Sequence, residues 1–192
     1  MQSNELGWVV EAQKGDVNAF TSLVEIYQKP VYNLCYRMLG NPDDAEDAAQ
    51  ETFLRAFQSL KRYDISRSFS TWLLSIAAHY CIDRIRRQRY RILSFEELPV
   101  PDIADASPSV ETRLSRKEEQ EQIQALLNTL NPVDRAAMVM YYWYDLSYDE
   151  ICQELGFSVS QLKSRLHRAR LAMAQKYKER KANNLMPERM TT

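Results

Sequence analysis

The stretch LSYDEICQELGFSVSQLKSRLHRARLAMAQK, Leu146–Lys176, leaves its backbone little choice. Ser147 can cap a helix, and Glu150 follows at the capping-box spacing. Ile151 and Leu155 fall one turn apart on one face. Gly156 supplies the positive-φ residue that ends such a helix. Ser158 and Gln161 repeat the capping spacing. Leu162, Leu166 and Met173 then carry an apolar stripe through a second helix, and Lys163, Arg165, Arg168 and Arg170 lie mostly off it. The first helix is acidic (Asp149, Glu150, Glu154) and the second is basic. This is the pattern of a helix-turn-helix whose second helix enters a DNA major groove. Solvated surface helices also carry charge runs, so the stretch alone leaves both readings open.

The rest of the chain is read the same way. Only 4 of 192 residues are Gly, and no segment alternates with period two for long enough to be a strand. Ala, Leu, Gln, Glu and Arg dominate, which favours helices. The expected fold class is therefore all-α, as two small helical domains. A short helix over residues 4–13 is broken at Gly15-Asp16, and Asp16 caps the next. That helix carries Phe20, Leu23, Val24 and Tyr27, is kinked or restarted at Pro30, and ends at Gly40. Asn41-Pro42 and Asn131-Pro132 are both a cap followed by Pro at the first helical position. In the helix after Asn41, Asp47, Gln50 and Glu51 share one face at i, i+3, i+4, and Phe53, Leu54 and Phe57 are expected to turn to the core. Leu60–Phe69 reads as a polar loop. Ser70 is expected to cap a helix running to about Arg91, roughly 33 Å at 1.5 Å per residue. Its first half is apolar and its second half is DRIRRQRYR. Aromatics and arginines interleaved in one loop and helix suit unpaired DNA, where rings stack on bases and guanidiniums hold phosphates. Trp72 is read as core, and Phe69 stays open between core and base contact.

Ser94–Ser109 holds Pro99, Pro101 and Pro108 with several acids and no periodicity, so it reads as a linker. The boundaries follow: 1–93 as a first unit, 94–111 as linker, 112–181 as a second unit and 182–192 as a frayed tail. Ala136–Tyr144 is strongly apolar, in part core and in part a surface for another protein.

Net charge is −1, but the charges are segregated. Asn41–Glu51 holds five acids and no base, Arg84–Arg91 five arginines and no acid, and Lys163–Lys181 eight bases and one acid. Such a chain binds nucleic acid through its basic stripes alone, and its acidic patches suit a basic protein surface. Cys35, Cys81 and Cys152 lie far apart without CxxC spacing, so they are expected to be reduced, buried thiols of a cytoplasmic protein. His79 and His167 lack ligand partners, so no metal is expected. The N-terminus lacks a signal peptide's pattern, and no window approaches the roughly 20 apolar residues of a membrane span. No phosphate loop, paired catalytic carboxylates or nucleophile–base motif is present, so neither an enzyme nor a cofactor is expected.

Three ordered motifs, NAF…YRMLGNPDDAEDAAQETFLRAF, SFSTWLLSIAAHYCIDRIRR and LSYDEICQELG…KSRLHRAR, resemble an extracytoplasmic-function (group IV) sigma factor of bacterial RNA polymerase, of the sigma-70 family. The resemblance covers nearly the whole chain. It implies that the first unit is the region-2 domain, whose Asp47, Gln50 and Glu51 match positions that dock on the clamp coiled coil of core RNA polymerase. It implies that the loop from Tyr63, with Phe69, Ser70 and His79, melts the −10 element and holds flipped-out bases, with Arg84, Arg86 and Arg87 on nearby phosphates. The second unit is then region 4, reading the −35 element. Lys163, Ser164, His167 and Arg168 match its DNA face, and Arg165 and Arg170 fit phosphate contacts. The helix around Met138–Tyr144 lies where the family meets the polymerase flap, and an anti-sigma factor is an expected further partner. Two departures stand out. Ser158, Ser160 and Gln161 replace a common Pro, Gly and Thr, and Gln161 is able to read adenine. His79 stands where the family often has Asn.

Two other readings compete. A stand-alone helix-turn-helix regulator would be a dimer on a palindromic site, but it leaves the arginine helix and the linker unexplained. A helical adaptor binding only protein would make the arginines dispensable.

Overall fold

The computed structural model describes the backbone of residues 2–94 and 111–184, with side chains over 4–90 and 118–182. The expected linker and tail therefore lie almost wholly outside the described residues. Eight α-helices follow one another: α1 (Gln2–Gln13), α2 (Val17–Leu39), α3 (Pro42–Ser59), α4 (Phe69–Ser94), α5 (Glu111–Asn128), α6 (Pro132–Tyr144), α7 (Tyr148–Leu155) and α8 (Val159–Asn184). A 3-10 turn, Leu60–Arg62, follows α3. The described residues hold no strand, and the architecture is all-α.

The helix boundaries come from local chemistry. Asp16 accepts from the amides of Asn18 and Ala19 at 2.8 and 3.2 Å and starts α2. Gly40, at φ 77°, ends it by donating to Tyr36 O at 2.8 Å. Asn41 and Asn131 each accept from the third residue of the helix that follows. Both capping boxes of the helix-turn-helix form, and Gly156 turns the chain between α7 and α8 at φ 71°.

Three expectations are corrected. Pro30 does not restart the helix, since α2 runs unbroken from Val17 to Leu39. The cap of α4 is Ser68, whose Oγ accepts from Thr71 N at 3.3 Å, so the helix begins before Ser70. Leu54 and Phe57 do not face the core; they are exposed. The buried face of α3 is Ala45, Ala48, Ala49, Thr52 and Ala56. Small residues seat this helix closely, and the bulky ones flank the seam, where Phe57 meets Phe20 edge-on at 5.0 Å.

The buried side chains of both halves form one continuous core. Helix α6 joins the halves, touching α2 and α4 of the first and α7 and α8 of the second. Ala136, Ala137, Met138, Val139 and Met140 are all buried, so most of the apolar run is core. Three side chains of the second half reach backbone carbonyls of α2. Tyr144 Oη donates to Pro30 O at 2.5 Å, Gln124 Nε2 to Arg37 O at 3.1 Å, and Arg135 Nη1 to Met38 O. Arg37 and Met38 lie in the last turn of α2, where carbonyls lack partners within the helix. The second half therefore caps the first half's central helix. Arg135 is buried without a carboxylate partner among the described residues, and burial lowers its pKa to about 10.

Candidate nucleic-acid and polymerase interfaces

The recognition helix α8 is seated by Leu162, Leu166 and Ala169, all buried, with Met173 half-buried below them. The opposite face shows Lys163, Ser164, His167 and Arg168 to solvent. Arg168 has no ion-pair partner among the described residues, and Lys163 Nζ lies 5.9 Å from the Tyr148 ring centroid. This is one contiguous outward surface, as a major-groove helix requires. The remaining −35 candidates are engaged within the protein. Arg165 pairs with Asp134 at 2.7 Å and lies over the Phe157 ring. Arg170 Nη1 reaches Tyr142 Oη at 3.4 Å. Gln161 Oε1 accepts from Ser158 N at 2.9 Å, so its carbonyl oxygen closes the capping box while its NH2 remains for other contacts.

On α3, Asp47 and Gln50 are exposed and Glu51 is half-buried, all beside one another. Glu51 pairs with Arg55 at 2.7 Å, and Gln50 Nε2 contacts Glu46 at 3.5 Å. Arg84 does not point to an open phosphate site. It crosses to α3, bonding Asp44 and standing 3.6 Å from Asp47. Arg86 and Arg87 are exposed further along α4.

The aromatic residues at the loop turn inward. Tyr63 and Phe69 are both buried. Their rings meet edge-on at 5.6 Å and cluster with Trp72, and Phe69 also meets Tyr27. Burial raises the Tyr63 phenol to about 12 and keeps it protonated, as a donor to Arg67 O. Neither ring lies open for stacking. Instead they wall a cleft of about 370 Å³ whose rim includes Glu5, Arg67 and Ser70. Gln13 of α1 fixes the 3-10 turn by donating to Leu60 O at 3.0 Å and Tyr63 O at 2.8 Å. His79 is exposed, with Nδ1 2.8 Å from Ser75 O, in a second cleft beside Arg55 and Arg62.

Two further contacts tie the loop to the helix-turn-helix. Arg67 pairs with Glu154, and Thr71 Oγ1 donates to Glu150 at 3.0 Å. Sequence reasoning placed Arg67 and Ser68 in the loop without their partners, and it missed Thr71 and Gln13. Gln13 gave no signal, whereas Arg67 was visible as a base in a loop beside aromatics.

The three cysteines are free and buried. Hydrogen bonding to Cys35, together with burial, raises the Cys81 thiol and holds it protonated. No group of His, Cys, Asp and Glu among the described residues could hold a metal ion. No described helix is long and apolar enough to cross a membrane.

Comparison with known proteins agrees with this geometry. The family profile Sigma-70 region 2 matches residues 23–91, and Sigma-70, region 4 matches residues 120–173. The chain is 36% identical over 183 residues to the ECF RNA polymerase sigma factor SigW of Bacillus subtilis, covering 89% of this chain and 95% of that one. It is 36% identical over 172 residues to the ECF RNA polymerase sigma factor SigE of Mycolicibacterium smegmatis, covering 85% and 65% respectively. Two solved structures share the fold. CnrH, in complex with the cytosolic domain of CnrY, has a TM-score of 0.67 at 22% identity, over 91% of this chain and 97% of that one. The sigma factor RpoE, in complex with the anti-sigma factor NepR from Bartonella quintana, has a TM-score of 0.68 at 18% identity, over 84% and 98%.

Proposed function

Because the chain belongs to the extracytoplasmic-function sigma factors of the sigma-70 family, and so acts in transcription initiation, we propose a specific division of labour among its residues. Residues 1–93 form the unit that binds core RNA polymerase and opens the −10 element. Residues 112–181 form the unit that reads the −35 element, residues 94–111 link the two, and residues 182–192 are a tail. The observation that carries the reading is the outward face of α8, where Lys163, Ser164, His167 and Arg168 stand exposed above a fully buried apolar seam.

Asp47, Gln50 and Glu51 meet the polymerase clamp. What supports this is their shared exposed edge and their negative charge, which suits a basic partner. Ser70 and His79 face the opened −10 strand, with Arg86 and Arg87 on its phosphates. Tyr63 and Phe69 shape the cleft wall rather than stack on bases. Melting needs only a site that stabilises an unstacked base by about a few kcal/mol. Each unit alone binds weakly, and the polymerase, which fixes both on one promoter, makes the second contact intramolecular and raises the joint affinity above either alone. An anti-sigma factor is a further partner, and the cytoplasm is the site of action.

Run-off transcription tests this. Purified core RNA polymerase is given a promoter-fragment library at stated salt, with and without the protein, because phosphate contacts make affinity salt-dependent. Protein-dependent transcripts sharing a −35 and a −10 motif are expected. No transcripts, with the protein alone bound to a palindromic site, would overturn the reading.

A further inference from the structure

Helix α1 precedes the residues that the region-2 profile matches, which begin at 23. It is nonetheless fixed against that unit. Val9 and Ala12 are buried, and Gln13 holds the 3-10 turn through Leu60 O and Tyr63 O. Glu5, Val9 and Gln13 recur every four residues, so they share the face of α1 that meets the unit. A carboxylate therefore stands at the start of that face. Glu5 lines the cleft of about 370 Å³ walled by Tyr27, Tyr63 and Phe69, and Ser68 and Ser70 belong to the same lining.

Glu5 is half-buried and has no ion-pair partner among the described residues. The buried Tyr27 stands beside it, with its ring 5.5 Å from that of Phe69. Burial, and then a hydrogen bond to Glu5, raise the Tyr27 phenol above its ordinary 10.0, so it stays a proton donor toward that carboxylate. One phenol does not saturate a carboxylate, which accepts at two oxygens. The cleft thus offers a guest one strong acceptor from α1 and serine hydroxyls, which also donate, from the start of α4.

The four bases differ in what they give such an acceptor. A base drawn out of the stack is read along its Watson–Crick edge. Cytosine, adenine and guanine each carry an exocyclic amine, and thymine carries none. The one ring N–H of thymine lies between two carbonyl oxygens, which a carboxylate repels. A carboxylate in the cleft wall therefore accepts from three bases and disfavours the fourth.

We propose that Glu5 is a specificity-determining residue of the −10 site, accepting from the exocyclic amine of the base held in the cleft and excluding thymine from that position. This assignment rests on the reading of the first unit as the one that opens the −10 element. It gives α1 a part in promoter choice although the helix lies outside the matched region.

The test is run-off transcription by holoenzyme assembled from core RNA polymerase and the full chain. The templates are one promoter recovered from the fragment library, with each of the four bases placed at each −10 position in turn. With wild-type protein, thymine at one position is expected to lower the transcript by on the order of tenfold against the best amine-bearing base. Glu5→Gln presents an amide that donates to a thymine carbonyl, and is expected to shrink that gap to about threefold or less. Glu5→Ala, which deletes the acceptor, is expected to shrink it too, and the preferences at the other −10 positions should stay. The gap is a ratio within one protein, so partial loss of folded protein cancels. An unchanged gap in Glu5→Gln and Glu5→Ala, whatever the overall yield, overturns the proposal and leaves Glu5 as a residue that seats α1. Wild-type protein that accepts thymine at every −10 position overturns it as well, and leaves the −10 reading standing. Wild-type transcripts that depend on no −10 base remove the −10 reading itself and the proposal with it.

Discussion

Arg165 Nη1 donates to Asp134 Oδ1 at 2.7 Å, fastening the recognition helix to the start of α6. Asp134 is buried and also accepts from Asn131 Nδ2 at 2.5 Å. Arg165 adds a cation–π contact, its guanidinium carbon 4.6 Å from the Phe157 centroid. Arg165→Ala leaves a buried carboxylate short of its charged partner. The expected cost is about 1–3 kcal/mol, or a drop of about 2–4 °C in melting midpoint per kcal/mol. Thermal unfolding followed by circular dichroism checks it. An unchanged midpoint with weakened DNA binding would return Arg165 to the DNA face.

Arg168 is the contrasting case. It is exposed on α8 with no partner among the described residues, so its removal touches nothing inside the protein. Arg168→Ala should change stability by less than about 0.5 kcal/mol. It should weaken binding of the holoenzyme to −35 duplex and, if its contact is a phosphate, reduce the salt slope by about 1. A salt titration of promoter binding reads both. Core polymerase binding should persist, and its loss would refute the role.

Asp47→Ala with Glu51→Ala should produce the opposite pattern. Both residues line the exposed edge of α3, and Arg84 keeps its bond to Asp44 when Asp47 is gone. The pairs lost are partly exposed, each contributing about 0–1 kcal/mol to folding. Core polymerase binding, measured by competition against wild type, should weaken while the circular dichroism melt barely moves. A collapse of the melt with no change in polymerase binding would make this edge structural.

Acid should loosen α7 in a predictable sense. Hydrogen bonds from Ser147, then from Thr71, lower the Glu150 carboxyl below its ordinary 4.5. A carboxyl lowered in the folded state binds fewer protons there than in the unfolded state. Its stabilising contribution is therefore complete above pH about 4.5 and is lost as pH falls through the lowered value. Melting midpoints measured downward from pH 6 should fall in that window. Glu150→Gln, which keeps the cap without the titration, should flatten that limb. An identical acid limb in the variant would place the loss on other carboxylates.

Much of this was legible because helix boundaries are local chemistry. Ser147–Glu150, Gly156 and the two Asn-Pro starts mark their own positions, and each forms. The inward stripe of α8 was equally plain, since Leu162, Leu166 and Met173 recur at helical spacing. What escaped was what a residue meets across the chain. An arginine reads as a phosphate contact until its neighbour is known. Arg84 and Arg165 both find carboxylates on other helices, at positions no local pattern discloses. The burial of Tyr63 and Phe69 was not legible for the same reason, because an aromatic at a loop is open or buried according to packing. On α3 the alanines outcompeted Leu54 and Phe57 for the inside. Arg135 stands just before the apolar run Ala136–Tyr144, and no local pattern discloses that it crosses to the Met38 carbonyl.

Tyr144 and Tyr142 test that contact between halves. They stand two residues apart on α6 with different surroundings. Tyr144 Oη donates to Pro30 O at 2.5 Å, and burial raises its pKa, so the phenol stays a proton donor. Tyr142 is exposed, and its oxygen only receives Arg170 at 3.4 Å. Tyr144→Phe keeps the ring and deletes one buried donor, which should cost about 1 kcal/mol. Tyr142→Phe should cost nothing measurable. The melting midpoints should therefore separate by about 2–4 °C for a chain of this length. Equal midpoints would mean that the Tyr144 hydroxyl does not help hold the halves together.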